Sequence, residues 1–265
     1  MARPPTYDCD ETFFKNIDSH EKAYLLGFLW ADGHNNPRSG LRIILHKQDE
    51  EILLYFKNYM KCNSPIKYRD DYCIFSINRK NIYNDLLNLG MFTNKSKNNL
   101  IWPEISSIYI NSFILGVFDG DGSIWNKEGS YAASFANGFS FLCELKTHLM
   151  DNGIMSNPIR YRYGIEKPQA CQLDISGYDN IIKLKDFLYS DSVIFMSRKF
   201  NKFCEADLKF SLYKVTNKRL NGTRDEIYSM YSSGIRQSDI SKQLNIKYST
   251  VRAIIQRGRR NNQVI

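Results

Sequence analysis

Hydrophobic and polar positions follow the same order in two halves of the chain. In the first half, the apolar segment LLGFLWADG (Leu25–Gly33) precedes a period-2 alternation over Leu41–His46, which predicts a strand with one buried face. An acidic turn and apolar residues at helical spacing over 49–60 predict a helix. The stretch SPIKYRDDYCIFSIN (Ser64–Asn78) then predicts a β-hairpin.

The second half repeats this order. ILGVFDGDG (Ile114–Gly122) is followed by a predicted hairpin (Ser123–Asn137), by a helix with apolar residues over 141–149, and by another hairpin (Asn157–Ser176). A shift of 89 residues aligns the two apolar segments and the helices after them. Each half therefore reads helix, two strands, helix, two strands, helix, and we interpret the chain as an internal duplication.

Small residues occupy matching positions in the two apolar segments. Gly27 and Ala31 lie four residues apart on one face of the first predicted helix, as Gly116 and Gly120 do on the second. Small side chains at this spacing let two helix backbones approach closely. We therefore expect the two helices to pack directly against each other.

Each of these helices ends on a carboxylate. If the helices pack together, Asp32 and Asp121 lie side by side at their C-terminal ends, where Gly33 and Gly122 are expected to adopt the left-handed conformation of a helix cap. Two adjacent carboxylates repel each other, and a divalent cation relieves that repulsion. Carboxylate ligands favour Mg²⁺ as the cofactor and admit Mn²⁺ or Ca²⁺ as substitutes in binding.

The elements predict an α+β fold, in which a pseudo-two-fold duplicated αββαββα body is followed by a small all-α domain. A duplicated chain supplies internally what a dimer would otherwise provide, so we expect a monomer. The predicted parts are an N-terminal extension (1–20), a first repeat (21–105), a second repeat (106–210), a basic linker (211–222) and a C-terminal helical domain (223–265).

Positive charge is concentrated in the C-terminal quarter. Residues 198–265 carry 15 Lys and Arg against 5 Asp and Glu, a net charge of +10, whereas the first 197 residues carry −2. A helix capped near Thr223, a second helix over 236–244, a tight turn and a third helix resemble a helix-turn-helix of the resolvase or sigma-factor type. The resemblance implies that the third helix presents to the DNA major groove Tyr248, Ser249, Thr250 and Arg252.

Composition excludes several other classes of protein. With 43% hydrophobic and 24% charged residues the chain is an ordinary globular protein, and no run of about 18 apolar residues predicts a membrane span. The six cysteines form no CxxC pair, which argues against zinc fingers. Reduced thiols suit an intracellular protein of the cytoplasm, the nucleoid, an organelle or a virus-infected cell.

The paired segments resemble the two motifs of the monomeric LAGLIDADG homing endonucleases. The similarity covers both αββαββα units, roughly 21–207, and includes TNKSKNNLIWP (Thr93–Pro103) and FMSRKFNKF (Phe195–Phe203). It implies two sheets that form one saddle over double-stranded DNA, with catalytic metal ions bound by the eighth motif residue, here Asp32 and Asp121. The family has no metal ligand at the sixth position, where we interpret Trp30 as a packing residue.

The same resemblance implies supporting catalytic residues. A lysine just after the last strand of each unit is expected near the reactive phosphate, which nominates Lys95 and Lys199. A polar residue at a strand end is expected to position water, and His46 occupies that place in the first unit. A shift of 89 residues from His46 lands on a phenylalanine, so Ser134 or Asn137 is the expected substitute in the second unit.

Alternation along the strands nominates residues that read DNA bases. On one face of a curved sheet, Arg suits guanine and Gln or Asn suits adenine in the major groove. Which of the candidates contact bases rather than phosphates is left open. The candidates in the duplicated body are Arg38, Arg42, Lys67, Arg69, Tyr72, Asn126, Arg160, Arg162, Gln169 and Gln172.

These features predict a site-specific, metal-dependent double-strand DNA endonuclease of the homing type, with extra target contacts from the helix-turn-helix. Two alternatives stay open: a transcription regulator built from an inactive LAGLIDADG domain and a helix-turn-helix, and an RNA maturase that acts on a host intron. The chain begins with Met and lacks the His-Asn end of an intein, so a free-standing or intron-encoded reading frame is expected.

Overall fold

Two copies of one αββαββα unit make up the body of the chain, in a computed structural model that describes residues 7–93, 101–127 and 129–260. The first copy contains α1 (His20–Asp32), β1 (Gly33–Asn36), β2 (Gly40–His46), α2 (Glu50–Tyr59), β3 (Lys67–Arg69), β4 (Tyr72–Ile77) and α3 (Lys80–Asn88). The second copy contains α4 (Ile110–Asp121), β5 (Ser123–Lys127), β6 (Ser130–Asn137), α5 (Phe139–Asp151), β7 (Arg160–Tyr161), β8 (Cys171–Ser176) and α6 (Tyr178–Tyr189).

Each copy forms its own four-stranded antiparallel sheet. The strand orders are β1-β2-β4-β3 and β5-β6-β8-β7, so the topology is the same in both copies. In β2, Leu41, Ile43 and Leu45 are buried and the residues between them are exposed, as the alternation predicts. One face of each sheet therefore packs on the helices, and the other face remains open.

The strand register shows where the two copies differ. His34 pairs with Arg42 in the first hairpin, and Ser123 pairs with Ser134 in the second. His34 and Ser123 are 89 residues apart, but Arg42 and Ser134 are 92 apart, because the second hairpin is three residues longer. The first copy has three residues more after β2, and these form a 3₁₀ turn (Lys47–Asp49) before α2. The single 89-residue shift is therefore correct for the helices and wrong for β6.

The glycines after the two motif helices are not left-handed, which corrects the sequence prediction. Gly33 has φ −73° and ψ 147°, and Gly122 has φ −83° and ψ 162°, so both are extended. A Cβ on Gly33 would lie 2.7 Å from the Leu29 carbonyl oxygen, and one on Gly122 would lie 2.5 Å from that of Phe118. Glycine is needed here because the chain leaves each helix in close contact with its last turn, and not because of a positive φ.

The chain divides into two compact units, Met1–Ala206 and Asp207–Ile265. The segment predicted as a basic linker, 211–222, is helical, because α7 runs continuously over Ser197–Ser232 and no helix begins at Thr223. The linker contains no proline, and its one glycine costs a helix only about 1 kcal/mol, so neither breaks α7. No described helix is both long and apolar enough to cross a bilayer.

The end of the chain has a small core of its own. After α7, Gly234 (φ 84°) precedes α8 (Gln237–Gln243), and Asn245 (φ 51°) precedes α9 (Tyr248–Arg260). The second and third predicted helices are therefore found at their expected positions. The buried residues of this core are Ile227, Ile240, Val251, Ile254 and Ile255.

Candidate functional site

Helices α1 and α4 pack with their backbones in direct contact. A Cβ placed on Gly27 would lie 2.0 Å from the Phe113 carbonyl oxygen, and one on Gly116 would lie 2.0 Å from the Tyr24 carbonyl oxygen. The two contacts are equivalent, since Tyr24 and Phe113 are themselves 89 residues apart. The predicted close approach is confirmed, and it gives the duplicated body a pseudo-two-fold axis at this crossing.

The C-terminal ends of the two helices meet beside that axis. A Cβ on Gly120 would lie 2.2 Å from the Ala31 Cβ and 3.5 Å from Asp32 Oδ2. Asp32 is the last residue of α1 and Asp121 is the last residue of α4, and both are exposed. The Asp32 carboxylate therefore lies close to the backbone of the residue that precedes Asp121.

Two carboxylates at this place concentrate negative charge. A helix C-terminus carries a partial negative charge, so an acidic side chain there is destabilising by roughly 0.3–1 kcal/mol. Two neighbouring carboxylates add their mutual repulsion. The arrangement is typical of a site that attracts cations.

The donors present fit a hard divalent cation. Carboxylate oxygens are preferred ligands of Mg²⁺, which keeps several water molecules and shares its other ligands with substrate phosphates. Within the described ranges, no group of three or more His, Cys, Asp and Glu side chains is placed to hold a metal ion. Asp32 and Asp121 could thus hold such an ion only together with water or substrate oxygens.

Lys199 is buried behind Asp121. Its Nζ donates hydrogen bonds to the carbonyl oxygens of Phe118 (2.7 Å), Asp119 (2.7 Å) and Gly122 (2.6 Å), at the C-terminal end of α4. Burial lowers the pKa of this ammonium to about 8, against the opposing effect of the Asp119 and Asp32 carboxylates. All three of its N–H donors are accounted for, so Lys199 fixes the backbone that carries Asp121.

Asp119 and Trp30, at the sixth motif position, are both buried but have different partners. Asp119 Oδ2 accepts hydrogen bonds from the Tyr24 hydroxyl (2.8 Å) and the Met196 amide (2.7 Å), and burial raises its pKa to about 7. Asp119 Oδ1 has no hydrogen-bond partner among the described residues. Trp30 donates from Nε1 to the Ile101 carbonyl (3.1 Å), as a packing residue would.

The first turn of α7 is held by the first repeat. Arg198 forms a bidentate ion pair with Asp49, with Nε to Oδ1 at 2.6 Å and Nη2 to Oδ2 at 3.0 Å. Glu51 accepts hydrogen bonds from the Ser197 amide (2.8 Å) and hydroxyl (2.6 Å). Acidic residues of one repeat thereby position the helix that delivers Lys199 to the other.

The remaining catalytic candidates are distributed unequally. His46 is exposed at the end of β2, where its Nδ1 accepts a hydrogen bond from the Gln48 amide at 3.3 Å. Lys95 lies outside the described residues. Arg42 and Ser134 occupy equivalent positions in the two sheets. His46 lies four residues after Arg42, so its counterpart lies four residues after Ser134 and is Gly138.

Neither predicted substitute for His46 occupies its place. Ser134 is buried and lies 3.0 Å, oxygen to oxygen, from the Ser123 hydroxyl. Asn137 pairs with the buried Cys171 and so points to the core side of the sheet. The second repeat therefore has no side chain at the position of His46, and the two ends of the site are chemically different.

The open face of the first sheet carries cations around an apolar centre. One cross-strand row contains His34, Arg42 and Ser76, the next Ile44, Ile74 and Lys67, and the last His46, Tyr72 and Arg69. Four predicted readers, Arg42, Lys67, Arg69 and Tyr72, therefore share this face. Arg38 lies in the exposed turn between β1 and β2.

The open face of the second sheet includes Arg160 and Gln172, which are cross-strand partners. Arg162 and Gln169 lie in the exposed connection between β7 and β8. Asn126 does not belong to this face, which corrects the prediction. It pairs with the buried Tyr131, and its Oδ1 accepts the Gly129 amide at 2.8 Å in the hairpin turn.

Two residues of this face were not predicted. Alternation within β5 places Trp125, 38% exposed, where Asn126 was expected. Asp174 lies two residues beyond Gln172 on the same face of β8 and accepts hydrogen bonds from Gln172 and Arg160. The alternation that places Gln172 on this face also places Asp174 there. Asp174 was not nominated because a carboxylate repels the DNA phosphates.

At the other end of the chain, α9 begins at Tyr248, as predicted. Tyr248, Ser249 and Arg252 are exposed, and Thr250 is half-buried beside the buried Val251. The apolar side of α9 packs on its own small core, which leaves the first three of these side chains on the outer face.

Comparison with known proteins identifies the fold. The chain is similar to the solved structure of the I-LtrWI LAGLIDADG homing endonuclease bound to target DNA, at 14% identity and TM-score 0.51 over 74% of this chain and 91% of that one. Weaker similarities are to the meganuclease I-SmaMI bound to uncleaveable DNA (12%, TM-score 0.48, 76% and 94% covered) and to full-length DUF199/WhiA from Thermatoga maritima (14%, TM-score 0.45, 94% of each). No family model and no curated protein matches the chain.

The predicted α+β class is thus confirmed, and the two antiparallel four-stranded sheets with their helices form the LAGLIDADG fold. At this level of identity, the similarity concerns the fold alone. The function rests on the residues that this chain places on it.

Proposed function

We propose that this protein is a site-specific endonuclease that cleaves both strands of double-stranded DNA, as a monomer with two LAGLIDADG motifs. One observation carries the proposal: Asp32 and Asp121 end the two helices that cross at Gly27 and Gly116, at matched positions of the duplication. Carboxylates at two adjoining helix C-termini concentrate negative charge at one place, which is typical of a cation site.

Each group of the chain has a chemical task in this proposal. Asp32 and Asp121 would hold Mg²⁺, which would supply charge neutralisation at the scissile phosphates and a more acidic water. His46 orients water at the end of the first sheet, where its Nε2 faces away from the Gln48 amide that Nδ1 accepts. Lys199 and Lys95 are the basic residues of the two units, and Lys199 acts by fixing the carbonyl groups around Asp121.

The open sheet faces supply target recognition. Cationic rows on the first sheet and the Arg160–Gln172 pair on the second suit the DNA backbone and base edges. The C-terminal unit adds a helix-turn-helix in which α9 enters the major groove through Tyr248 and Arg252. Linked binding units raise affinity without a new catalytic group.

The test is plasmid cleavage. A supercoiled plasmid carries the uninterrupted form of the sequence that flanks the native gene, and it is incubated with the full chain in Mg²⁺ or in EDTA. We expect linear product only in Mg²⁺ and none with Asp32→Asn or Asp121→Asn, both of which still bind the plasmid. Asp151→Asn, at the exposed end of α5, is the matched control and should cleave normally.

Two results would reject the proposal. Cleavage that persists in EDTA or in both motif variants would mean that these carboxylates hold no catalytic metal. Tight sequence-specific binding by the wild-type chain without any cut would instead indicate a DNA-binding regulator.

A further inference from the structure

One carboxylate lies on the open face of the second sheet, among residues suited to bind a polyanion. Asp174 Oδ2 accepts a hydrogen bond from Arg160 Nη2 at 2.5 Å, and its Oδ1 accepts one from Gln172 Nε2 at 2.8 Å. The Asp174 side chain is 15% exposed and that of Arg160 is 63% exposed. Asp174 thus lies beneath the two side chains nominated for base reading.

The duplication supplies an internal comparison for this cluster. Arg42 matches Ser134 in the strand register, so their partners Ser76 and Asp174 occupy equivalent positions. By the same register, Ile74 is the counterpart of Gln172, and Lys67 is the counterpart of Arg160. The first repeat therefore keeps the cation but has neither the amide nor the carboxylate.

We propose that Asp174 is a specificity-determining positioning residue, which holds Arg160 and Gln172 as one preset pair for reading two purines in the major groove. The inference rests on the proposed function and names the part of the second sheet that selects the sequence. Asp174 itself acts through its two partners rather than by a base contact.

The chemistry of the three side chains supports this role. An ionised carboxylate only accepts hydrogen bonds, so Gln172 must turn its amide nitrogen toward Asp174. Its carbonyl oxygen and second N–H remain for adenine, and the other N–H groups of Arg160 remain for guanine. Fixing both side chains before binding lowers the conformational entropy lost on binding.

The charge of Asp174 also acts against wrong sites. A free arginine on this face would pair with any DNA phosphate, and phosphate contacts carry no sequence information. Asp174 compensates the positive charge of Arg160 in the free protein. Arg160 therefore binds DNA favourably only where a base edge offers hydrogen-bond acceptors in addition to the Asp174 carboxylate. The first sheet, with Ser76 in this position, lacks such a restraint on Lys67.

The experiment measures binding of the full chain to its selected target duplex and to a scrambled duplex, each over a range of salt concentrations. Asp174→Asn removes the charge, and Asp174→Ser installs the residue of the first repeat. We expect either variant to bind the target about tenfold more weakly. For the scrambled duplex, we expect tighter binding with a logarithmic salt slope steeper by about 0.9, as for one added phosphate contact.

Asp70→Asn is the matched control, because Asp70 lies 3.9 Å from Arg69 in an ion pair whose side chains are 84% and 85% exposed. It should leave the ratio of specific to non-specific affinity unchanged. Selection from a randomised duplex library should show relaxed preference at one or two adjacent positions for the Asp174 variants only.

The results separate this inference from the proposed function. If the wild-type chain prefers its target but both Asp174 variants keep its affinity ratio, salt slope and selected sequence, the inference is wrong. A general loss of affinity for both duplexes would also reject it, since that pattern indicates a structural role. Absence of any sequence preference in the wild-type chain would reject the proposed function itself.

Discussion

Gly116 lies against the backbone of Tyr24 so closely that a Cβ on the glycine would be 2.0 Å from the Tyr24 carbonyl oxygen. The nearest obstacle is main chain on a second helix, so no side-chain rotation can relieve the overlap. The position of both motif carboxylates depends on this approach, because α1 and α4 carry Asp32 and Asp121 at their ends.

Gly116→Ala should therefore destabilise the whole duplicated body. We expect a loss of about 3 kcal/mol in the free energy of unfolding, at the upper end for overpacking, since backbones must separate. Urea denaturation monitored by circular dichroism measures it. Gly153→Ala is the control: a Cβ there meets nothing within 4 Å, and only its φ of 69° is strained, so about 1 kcal/mol is expected. Equal losses for the two variants would contradict the helix contact.

Lys199→Met should weaken both stability and cleavage. The substitution removes the donor shared by the carbonyl oxygens of Phe118, Asp119 and Gly122, of which only that of Phe118 also accepts the Gly122 amide among the described backbone contacts. We expect this loss to cost about 3 kcal/mol. Cleavage should slow while the affinity for target DNA is retained, because the change affects the backbone around Asp121 rather than the sheets. Chemical denaturation, single-turnover cleavage and equilibrium binding provide the three readouts.

Lys202→Met is the matched control, one turn further along α7. Among the described residues, its Nζ donates one long hydrogen bond, to the Ile124 carbonyl at 3.5 Å. Stability and cleavage should both stay close to wild type. A Lys199 variant that lost DNA affinity but cut normally once bound would instead place this lysine on a DNA phosphate.

Asp119 should make stability depend on pH between about 4 and 7. Burial raises its folded-state pKa from 3.8 to about 7, so over this interval the folded chain holds a proton that the unfolded chain has released. The contribution is fully present below pH 3.8 and is lost as pH rises through 7, by about 4 kcal/mol at most.

Asp119→Asn removes this titration. In metal-free buffer, the difference in unfolding free energy between wild type and variant should change across the interval, in favour of wild type at the acidic end. Denaturation curves at a series of pH values measure this difference. A difference that is constant with pH would show that the carboxyl is ionised throughout, held by Tyr24 and Met196.

His46→Ala should affect the two DNA strands unequally. The register gives this histidine a glycine, Gly138, as its counterpart, so only one cleavage centre loses a side chain that orients water. We expect a cut slower by up to about 10²-fold on one strand and accumulation of nicked plasmid. Strand-specific end labels identify the affected strand, with Lys47→Ala as a neighbouring exposed control. Equal slowing of both strands would contradict the assignment.

The sequence predicts the helix crossing and both sheets well, because these depend on local period and on a repeated spacing. Gly27, Gly116 and the two aspartates could be matched by a shift of 89 residues alone. The shift is wrong within β6, because the β5–β6 hairpin is three residues longer than the β1–β2 hairpin, whereas the first copy has its three extra residues in the turn before α2. Only the pairing of strands, which connects residues distant in sequence, makes Gly138 the match for His46.

Burial and hydrogen bonding decided the remaining differences. Lys199 looks like a solvent-exposed base in the sequence SRK, and nothing local indicates that three helix carbonyls surround it. Asn126 was predicted on the open face where Trp125 lies, because neighbouring residues of a strand point to opposite faces and the prediction was wrong by one residue. The helical state of 211–222 was missed because its polar composition is typical of a linker.

Ser76 and Asp174 fill equivalent places in the two sheets, as do Ile74 and Gln172. A symmetric homodimer would present identical residues on both sides and would therefore require an inverted repeat in its DNA. Covalent joining of the halves removes this constraint, because each sheet changes its residues independently. Under the proposed function, the preferred target is non-palindromic, and each half of it can drift through its own substitutions.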